Sequence, residues 1–393
     1  MTVGAGRIRH IILIFILILL CGLSAVCFMG CSAEQQAWHA VDNNEINIAL
    51  IGDEEFFRYG GAYDAMEYAA DEFSGRTGVK VNLKLFNDNG DYNTGVALAS
   101  EIAEDDSISV TISKQELDII DTVASIFNAN KKPLIVTNGC YDRTSAQGYS
   151  YLITDFINAD TTGRYMGKYA VDEGYRTIAY CHSDTEYEKD ELKGVQSFIK
   201  NTGTKIVDTV IGPFTQEEFD ECYDRWCSLD VDAVYISIYE YLCGSDIIRM
   251  LREKGSDIPV MTDYAMENDY DIEINGEYMD GTVILPLYPF EKNDMYNKIY
   301  NGFKARYRYG ASASVMQSYE LVSMICGYLN SGIKTSSEFM DCMKSEDGYE
   351  TTAGVIHFDE NGVLVTENVW YMKFEDGAFD LFRNAQIEKG EGE

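Results

Sequence analysis

Beyond residue 44 the chain alternates between two hydrophobic periods. Ile46-Asn47-Ile48-Ala49-Leu50-Ile51 is a short, nearly continuous apolar run ending at Gly52, and Ala62, Met66, Ala69, Ala70 and Phe73 then recur at helical spacing up to Gly78. Val79, Val81, Leu83 and Leu85 alternate with polar residues, the mark of a strand with one covered face. The rhythm continues with a strand at 107–112, a helix at 117–127 and a strand at 133–136. After an irregular passage at 138–155 it resumes: a strand at 177–181, a helix carrying Leu192, Val195, Phe198 and Ile199, and a strand at 205–210. A helix ending near Cys227, a strand at 233–237, a helix at 244–255 and strands at 258–261 and 281–285 follow. Two long helical patterns, 294–309 and 312–330, lead to a strand at 354–358, an Asp359-Glu360-Asn361-Gly362 turn and a strand at 369–374. Strands alternating with helices predict parallel sheets covered on both faces. They are too many for one compact open sheet, so the fold class expected is α/β, with two doubly wound Rossmann-like lobes joined by short, direct crossovers.

The first thirty residues stand outside this pattern. Arg7, Arg9 and His10 precede an unbroken apolar run from Ile11 to Leu20, and small residues follow as far as Cys31. A basic start, an apolar middle and a small residue before the cut is the layout of a secretory leader. Phe28-Met29-Gly30-Cys31 is similar to a bacterial lipobox, which implies cleavage before Cys31 and a diacylglycerol on its sulfur. Phe28 and Met29 depart from the usual residues, while Gly30 fits. The alternative is an uncleaved anchor, since Ile11 to Gly30 is about long enough to span a bilayer. Either way the body is expected outside the cell, tethered to the outer face of its membrane.

Charge and cysteine content narrow the partners. The chain has 31 basic and 65 acidic residues, two of the basic ones in the leader, so the exported part carries close to −36. Nucleic acid and anionic membrane surfaces would repel it; the acids are spread along the chain, which suits solubility. Beyond Cys31 there are seven cysteines with no C-x-x-C, and the three remaining histidines are scattered, so neither a metal nor another cofactor is expected. No G-x-S-x-G, P-loop or H-E-x-x-H occurs. Ser197-Phe198-Ile199-Lys200 matches S-x-x-K inside an amphipathic helix without its companion motifs, and Asp271, Glu273, Asn275 and Gly276 begin like a calcium loop that ends on Thr282 in place of glutamate. The chain is not expected to be an enzyme.

Ordered pieces along three hundred residues carry a family resemblance. They include Tyr59-Gly60 after the first strand, Ala170-Val171-Asp172-Glu173-Gly174-Tyr175, Tyr187 with Leu192-Lys193-Gly194, Asp230-Val231-Asp232-Ala233-Val234-Tyr235, Met250 to Gly255, Tyr307-Arg308-Tyr309-Gly310, and Thr352-Ala353-Gly354 before Phe358 to Gly362. In these the chain resembles the type I periplasmic binding proteins, specifically the leucine/isoleucine/valine-binding group. The resemblance implies two lobes with a solute trapped between them and crossovers near Leu152–Asp155, Leu285–Tyr288 and Ala353–His357. The chain then divides into a leader (1–30), a tether (31–44), lobe 1 (45–153 plus 288–354), lobe 2 (156–285 plus 355–385) and an acidic, disordered tail (386–393).

It also implies site residues. The solute's carboxylate would be met at two strand ends of lobe 1, at Ser113 and at Thr137-Asn138-Gly139, positions that suit helix caps equally well. Lys114-Gln115 and Asn138-Gly139-Cys140 stand where the family has its serine-rich and alanine-threonine pattern. Its ammonium would face Asp263, and Tyr59, Tyr187 and Tyr239 would form aromatic walls. The partners implied are an amino acid or similar small polar solute, the permease of an ATP-driven importer and the membrane through a lipid anchor, with the body monomeric. A sensory receptor of the same fold is the alternative, an exported hydrolase a third.

Overall fold

The structure, a computed structural model, describes residues 38–238, 244–310, 312–366 and 368–387. The leader, Cys31, Tyr239 and the last residues of the acidic tail lie outside the described residues, and Tyr59 is described in its backbone only.

The first sheet is wholly parallel and has five strands: β1 (Glu45–Gly52), β2 (Lys80–Asn87), β3 (Val110–Lys114), β4 (Leu134–Val136) and β5 (Leu152–Thr154), in the order β2-β1-β3-β4-β5. The apolar run of β1 is central and covered on both faces, with Ile46, Ile48, Leu50 and Ile51 inaccessible to solvent. Alternating β2 is an edge strand. Apolar side chains of β1, β4 and β5 pack with Ile102, Ile120, Val123 and Phe127 of the flanking helices into one core.

A second set of parallel strands follows: β6 (Thr177–His182), β7 (Lys205–Ile211), β8 (Ala233–Ser237), β9 (Val260–Thr262) and β10 (Val283–Ile284). A small antiparallel sheet comes next, β11 (Tyr349–Thr351), β12 (Gly354–Phe358) and β13 (Leu364–Val365). Finally β14 (Trp370–Glu375) and β15 (Ala378–Asn384) form a hairpin antiparallel to β10, which completes a seven-stranded sheet in the order β15-β14-β10-β9-β8-β6-β7. The two lobes are thus two doubly wound layers, as expected, with one mixed sheet edge.

Three departures from the sequence reading stand out. The strand at 354–358 does not pair with that at 369–374: Thr352 and Ala353 make the tight turn of the β11–β12 hairpin, so the third crossover expected at Ala353–His357 falls inside the small sheet. Gly362 then accepts the Thr154 N–H (2.7 Å), holding this segment beside β5, and the chain enters the seven-stranded sheet only at β14. Leu152–Thr154 is itself a strand, with the passage to the second lobe beginning at Asp155. The first and second crossovers are tied together, Ile157 N–H donating to Leu287 O at 2.9 Å.

In the second lobe the helices Ala159–Asp172 and Glu186–Ile199 lie in close contact because glycines face backbone. A Cβ at Gly163 would strike the Glu191 carbonyl, and one at Gly194 the Asp160 carbonyl. Among the described residues there is no helix long and apolar enough to cross a membrane and no group of residues suited to a metal. Six cysteines (Cys140, Cys181, Cys222, Cys227, Cys326 and Cys342) are free thiols, four of them buried as small core residues.

Candidate functional site

In open parallel sheets the loops after the carboxyl ends of the strands are the natural place for a ligand. Here the loops after Gly52, Lys114 and Val136 in the first lobe and after Thr262 in the second line a cavity of about 620 Å³. Its lobe 1 wall holds Phe56, Lys114, Asn138, Ser314 and Gln317; its lobe 2 wall holds Tyr264, Ala265 and Glu267; Leu287 and Tyr288 of the second crossover close the floor.

The chain puts Lys114 on this wall through its strand. As the last residue of β3 it pairs in register with Gly52 of β1, where a Cβ would come within 2.8 Å of the Lys114 carbonyl and φ is +148°. Glycine is therefore required there, and the end of β3 sits tight against β1. Lys114 is only 6% exposed. Asn138 follows β4 and is half-buried. Gln317, on the helix Ala313–Leu329, donates its amide to the backbone carbonyls of Thr137 and Asp155, fixing the β4 loop to the first crossover.

On the opposite wall, a short helical turn after β9 carries Tyr264, Ala265 and Met266 and ends at Glu267. Burial is the one influence resolved on the Glu267 carboxyl and pushes it up to about 7. Asn268, beside it, is occupied: its amide donates to Ala265 O and Asp271 Oδ2 at 2.6 Å, and its oxygen caps Asp271 N–H. The Tyr264 ring meets the edge of Tyr187 at 6.1 Å and 85°, and its hydroxyl lies 3.8 Å from where a Cβ on Gly139 would stand. The second lobe therefore reaches the β4 loop of the first.

The expected site residues divide in two. Asn138 lines the cavity; Gly139, next to it, lies near the Tyr264 hydroxyl, and Tyr187 meets the Tyr264 ring edge-on, its own hydroxyl buried without a partner. Ser113, Thr137 and Asp263 do not line the cavity. The Ser113 hydroxyl accepts from Gln115 N–H (3.2 Å) and pairs with the Gln115 side chain (3.3 Å), while Gln115 is held by Asp88 at 2.8 Å. Thr137 donates to Ser113 O at 3.3 Å. Asp263 accepts from Ala265 N–H (3.0 Å) and Ser237 (3.3 Å), and burial beside Glu191 and Glu188 keeps its carboxyl well above the usual carboxylate range. Glu191 is likewise sealed in lobe 2, accepting from Tyr235 (2.5 Å), Tyr180 (3.3 Å) and Ser237, with burial raising it to about 7. Lys114 and Glu267 take the places on the wall that Ser113 and Asp263 leave.

A second acidic group sits at the crossovers. Glu320 accepts from Tyr288 (3.0 Å), Thr352 Oγ1 (3.2 Å) and Thr352 N–H, stitching the second crossover to the β11–β12 turn, and burial raises it to about 7. Asp155 is fully enclosed, both carboxyl oxygens lacking a partner, and burial with Glu320 nearby holds it well above its ordinary value. Between the lobes, Arg143 joins Asp121 of the first (2.9 Å) to Glu186 of the second.

Residues 59–378 match the family model described as periplasmic binding protein. The chain belongs to the periplasmic binding protein family. Its type I, leucine/isoleucine/valine group is the one the sequence resembles, and the family is extracytoplasmic and solute-binding, not enzymatic. A Pseudomonas aeruginosa relative, the leucine-, isoleucine-, valine-, threonine- and alanine-binding protein, is 20% identical over 320 residues, 81% of this chain and 84% of its own. Among solved structures, the substrate-binding protein of an ABC transporter from Desulfitobacterium hafniense in complex with Leu superposes with a TM-score of 0.77 at 17% identity, covering 86% of this binding protein and all of that chain. A Rhodopseudomonas palustris solute-binding protein in complex with 3,4-dihydroxybenzoic acid gives 0.71 at 18% identity, covering 88% and 99%.

Proposed function

We propose that this periplasmic binding protein captures a small carboxylate-bearing solute, an amino acid or a close relative of one, between its lobes and delivers it to the permease of an ATP-driven importer. The observation that carries the reading is the cavity itself: about 620 Å³, walled by the strand ends of both lobes and floored by a crossover. Its volume is that of a small-molecule site, and closure of two lobes about a hinge is a standard way to bury a solute. The relatives' ligands support the carboxylate, which leucine and 3,4-dihydroxybenzoic acid share. Cleavage before Cys31 with lipid attachment would keep the protein at the outer face of the membrane as a monomer.

A thermal-shift screen of the exported body against amino acids and aromatic acids tests this. The expected result is a melting temperature that climbs with the logarithm of solute concentration, as binding to the folded state alone requires. Tyr264→Ala should abolish the shift. No shift across both classes would sink the proposal.

A further inference from the structure

We infer that Glu320, which does not line the solute cavity, is a positioning residue for it: acting through Tyr288 in the cavity floor, it ties solute affinity to the proton on its own carboxyl. This rests on that cavity being the solute site and adds a group by which capture is regulated.

Gln317 and Glu320 stand one turn apart on the helix Ala313–Leu329, so they reach out on the same side of it. Gln317 donates to the carbonyls of Thr137 and Asp155, and Glu320 accepts from Tyr288 (3.0 Å) and from the Thr352 hydroxyl and N–H. A single turn thus holds the β4 loop, both crossovers and the β11–β12 turn. Tyr288 carries the grip of Glu320 on to the cavity that it lines.

Among the described residues, no cation is bonded to Glu320. Asp155 lies beside it, fully enclosed and with both carboxyl oxygens unpartnered, and such a group stays neutral. Burial outweighs the three donors and pushes the Glu320 carboxyl up to about 7. Glu320 also lines a second cavity, of about 350 Å³, together with Tyr319 and Tyr349. Four exposed charged residues, Glu72, Arg76, Lys298 and Glu350, complete that wall, and Glu72 is taken by the hydroxyls of Tyr68 (3.3 Å) and Tyr319. These bring the second cavity to the surface, so the Glu320 proton exchanges with water without passing through the cleft.

A solute seated on Tyr288 displaces water from its cavity side, and the carboxyl 3.0 Å from its hydroxyl becomes harder to ionise. The filled site therefore holds the Glu320 proton more tightly than the empty one. Binding takes up protons, and affinity falls as pH rises through about 7.

The test uses the folded exported body and the tightest binder among the twenty common L-amino acids and 3,4-dihydroxybenzoate, titrated calorimetrically from about pH 5.5 to about pH 8. Glu267 of the cavity wall titrates in the same range, so the wild type is compared with Glu320→Gln. The wild-type Kd should rise across this interval by at least about threefold more than that of the variant, the effect of a proton held about threefold more tightly in the filled site. At neutral pH, buffers of different ionisation enthalpy should show the wild type taking up more protons than Glu320→Gln. Tyr288→Phe keeps the carboxyl and cuts its tie to the cavity, and should remove the same excess. A merely structural part for Glu320 would weaken binding by one factor at every pH. Either variant retaining the full wild-type rise overturns the inference. If no probe binds the wild type, the capture function fails and this coupling with it.

Discussion

Tyr187 keeps a hydroxyl buried with nothing to bond, while its ring sets the angle of Tyr264 at the cavity. The ring and the hydroxyl therefore have separable roles. Tyr187→Phe removes an unmet polar group and should raise unfolding stability by about 1 kcal/mol, seen as a higher urea midpoint at unchanged slope. It should leave solute affinity intact. Tyr187→Ala opens a void behind Tyr264 and should weaken binding, so rescue by phenylalanine separates positioning from hydrogen bonding. At the same scale, the sequence pointed to the right strand ends but not to the right atoms. Ser113 and Asp263 have suitable chemistry and lie one to four residues from the wall, yet each hydroxyl or carboxyl turns inward to a partner distant in sequence or on the next turn. Lys114 was visible as a departure from the family pattern. Its burial depends on β1 and Gly52, which no local pattern encodes.

At the scale of elements, the paired helices Ala159–Asp172 and Glu186–Ile199 depend on two glycines. Gly194→Ala places a methyl group on the Asp160 carbonyl, and overpacking of this kind should cost on the order of 1–3 kcal/mol or more, measured as a lowered melting temperature of the unliganded protein. Alanine is otherwise the better helix residue, so a stabilising result would contradict the packing described. Long elements were legible because their periods are unambiguous: β1, β8 and the helix Ala313–Leu329 lie where the apolar spacing places them, while β3, expected at 107–112, runs two residues further, to Lys114. Among the short C-terminal strands, β12 and β14 lie at or within one residue of the expected 354–358 and 369–374, but β11, β13 and the pairing of β12 were not legible. β12 has Val355 at 56% exposure and β13 has two residues, so neither presents a repeating face, and their pairing is decided by the Thr352-Ala353 turn and the contact of Gly362 with β5.

Over the whole molecule, the enclosed acids make stability depend on pH in a definite direction. Glu191, Glu267 and Glu320 ordinarily release their protons near 4.5 and hold them to about 7 in the fold; Asp142 shifts from 3.8 to about 6, chiefly by burial. The unfolded chain loses these protons first, so the folded state binds more of them across this interval, and stability falls as pH rises from about 4.5 through 7. The urea midpoint of the unliganded body should therefore decrease from pH 5 to pH 7.5. Glu320→Gln, which cannot ionise, should flatten part of that slope; an unchanged slope would mean that Glu320 is ionised in the fold. The interlobe pair of Arg143 with Glu186 is half-exposed and should add little at physiological salt.

The Tyr264 hydroxyl lies close to Gly139 across the two lobes, and the tie between Ile157 and Leu287 holds together two of the spans about which the lobes would part. On the proposed capture function, a guest lodged inside would have to wait for that parting before it could escape. Its residence time is then governed by how often the protein yawns open more than by the strength of any one contact. Related solutes differing tenfold in affinity should show nearly the same exit rate in stopped-flow displacement, with their differences appearing in how readily the closed form is reached.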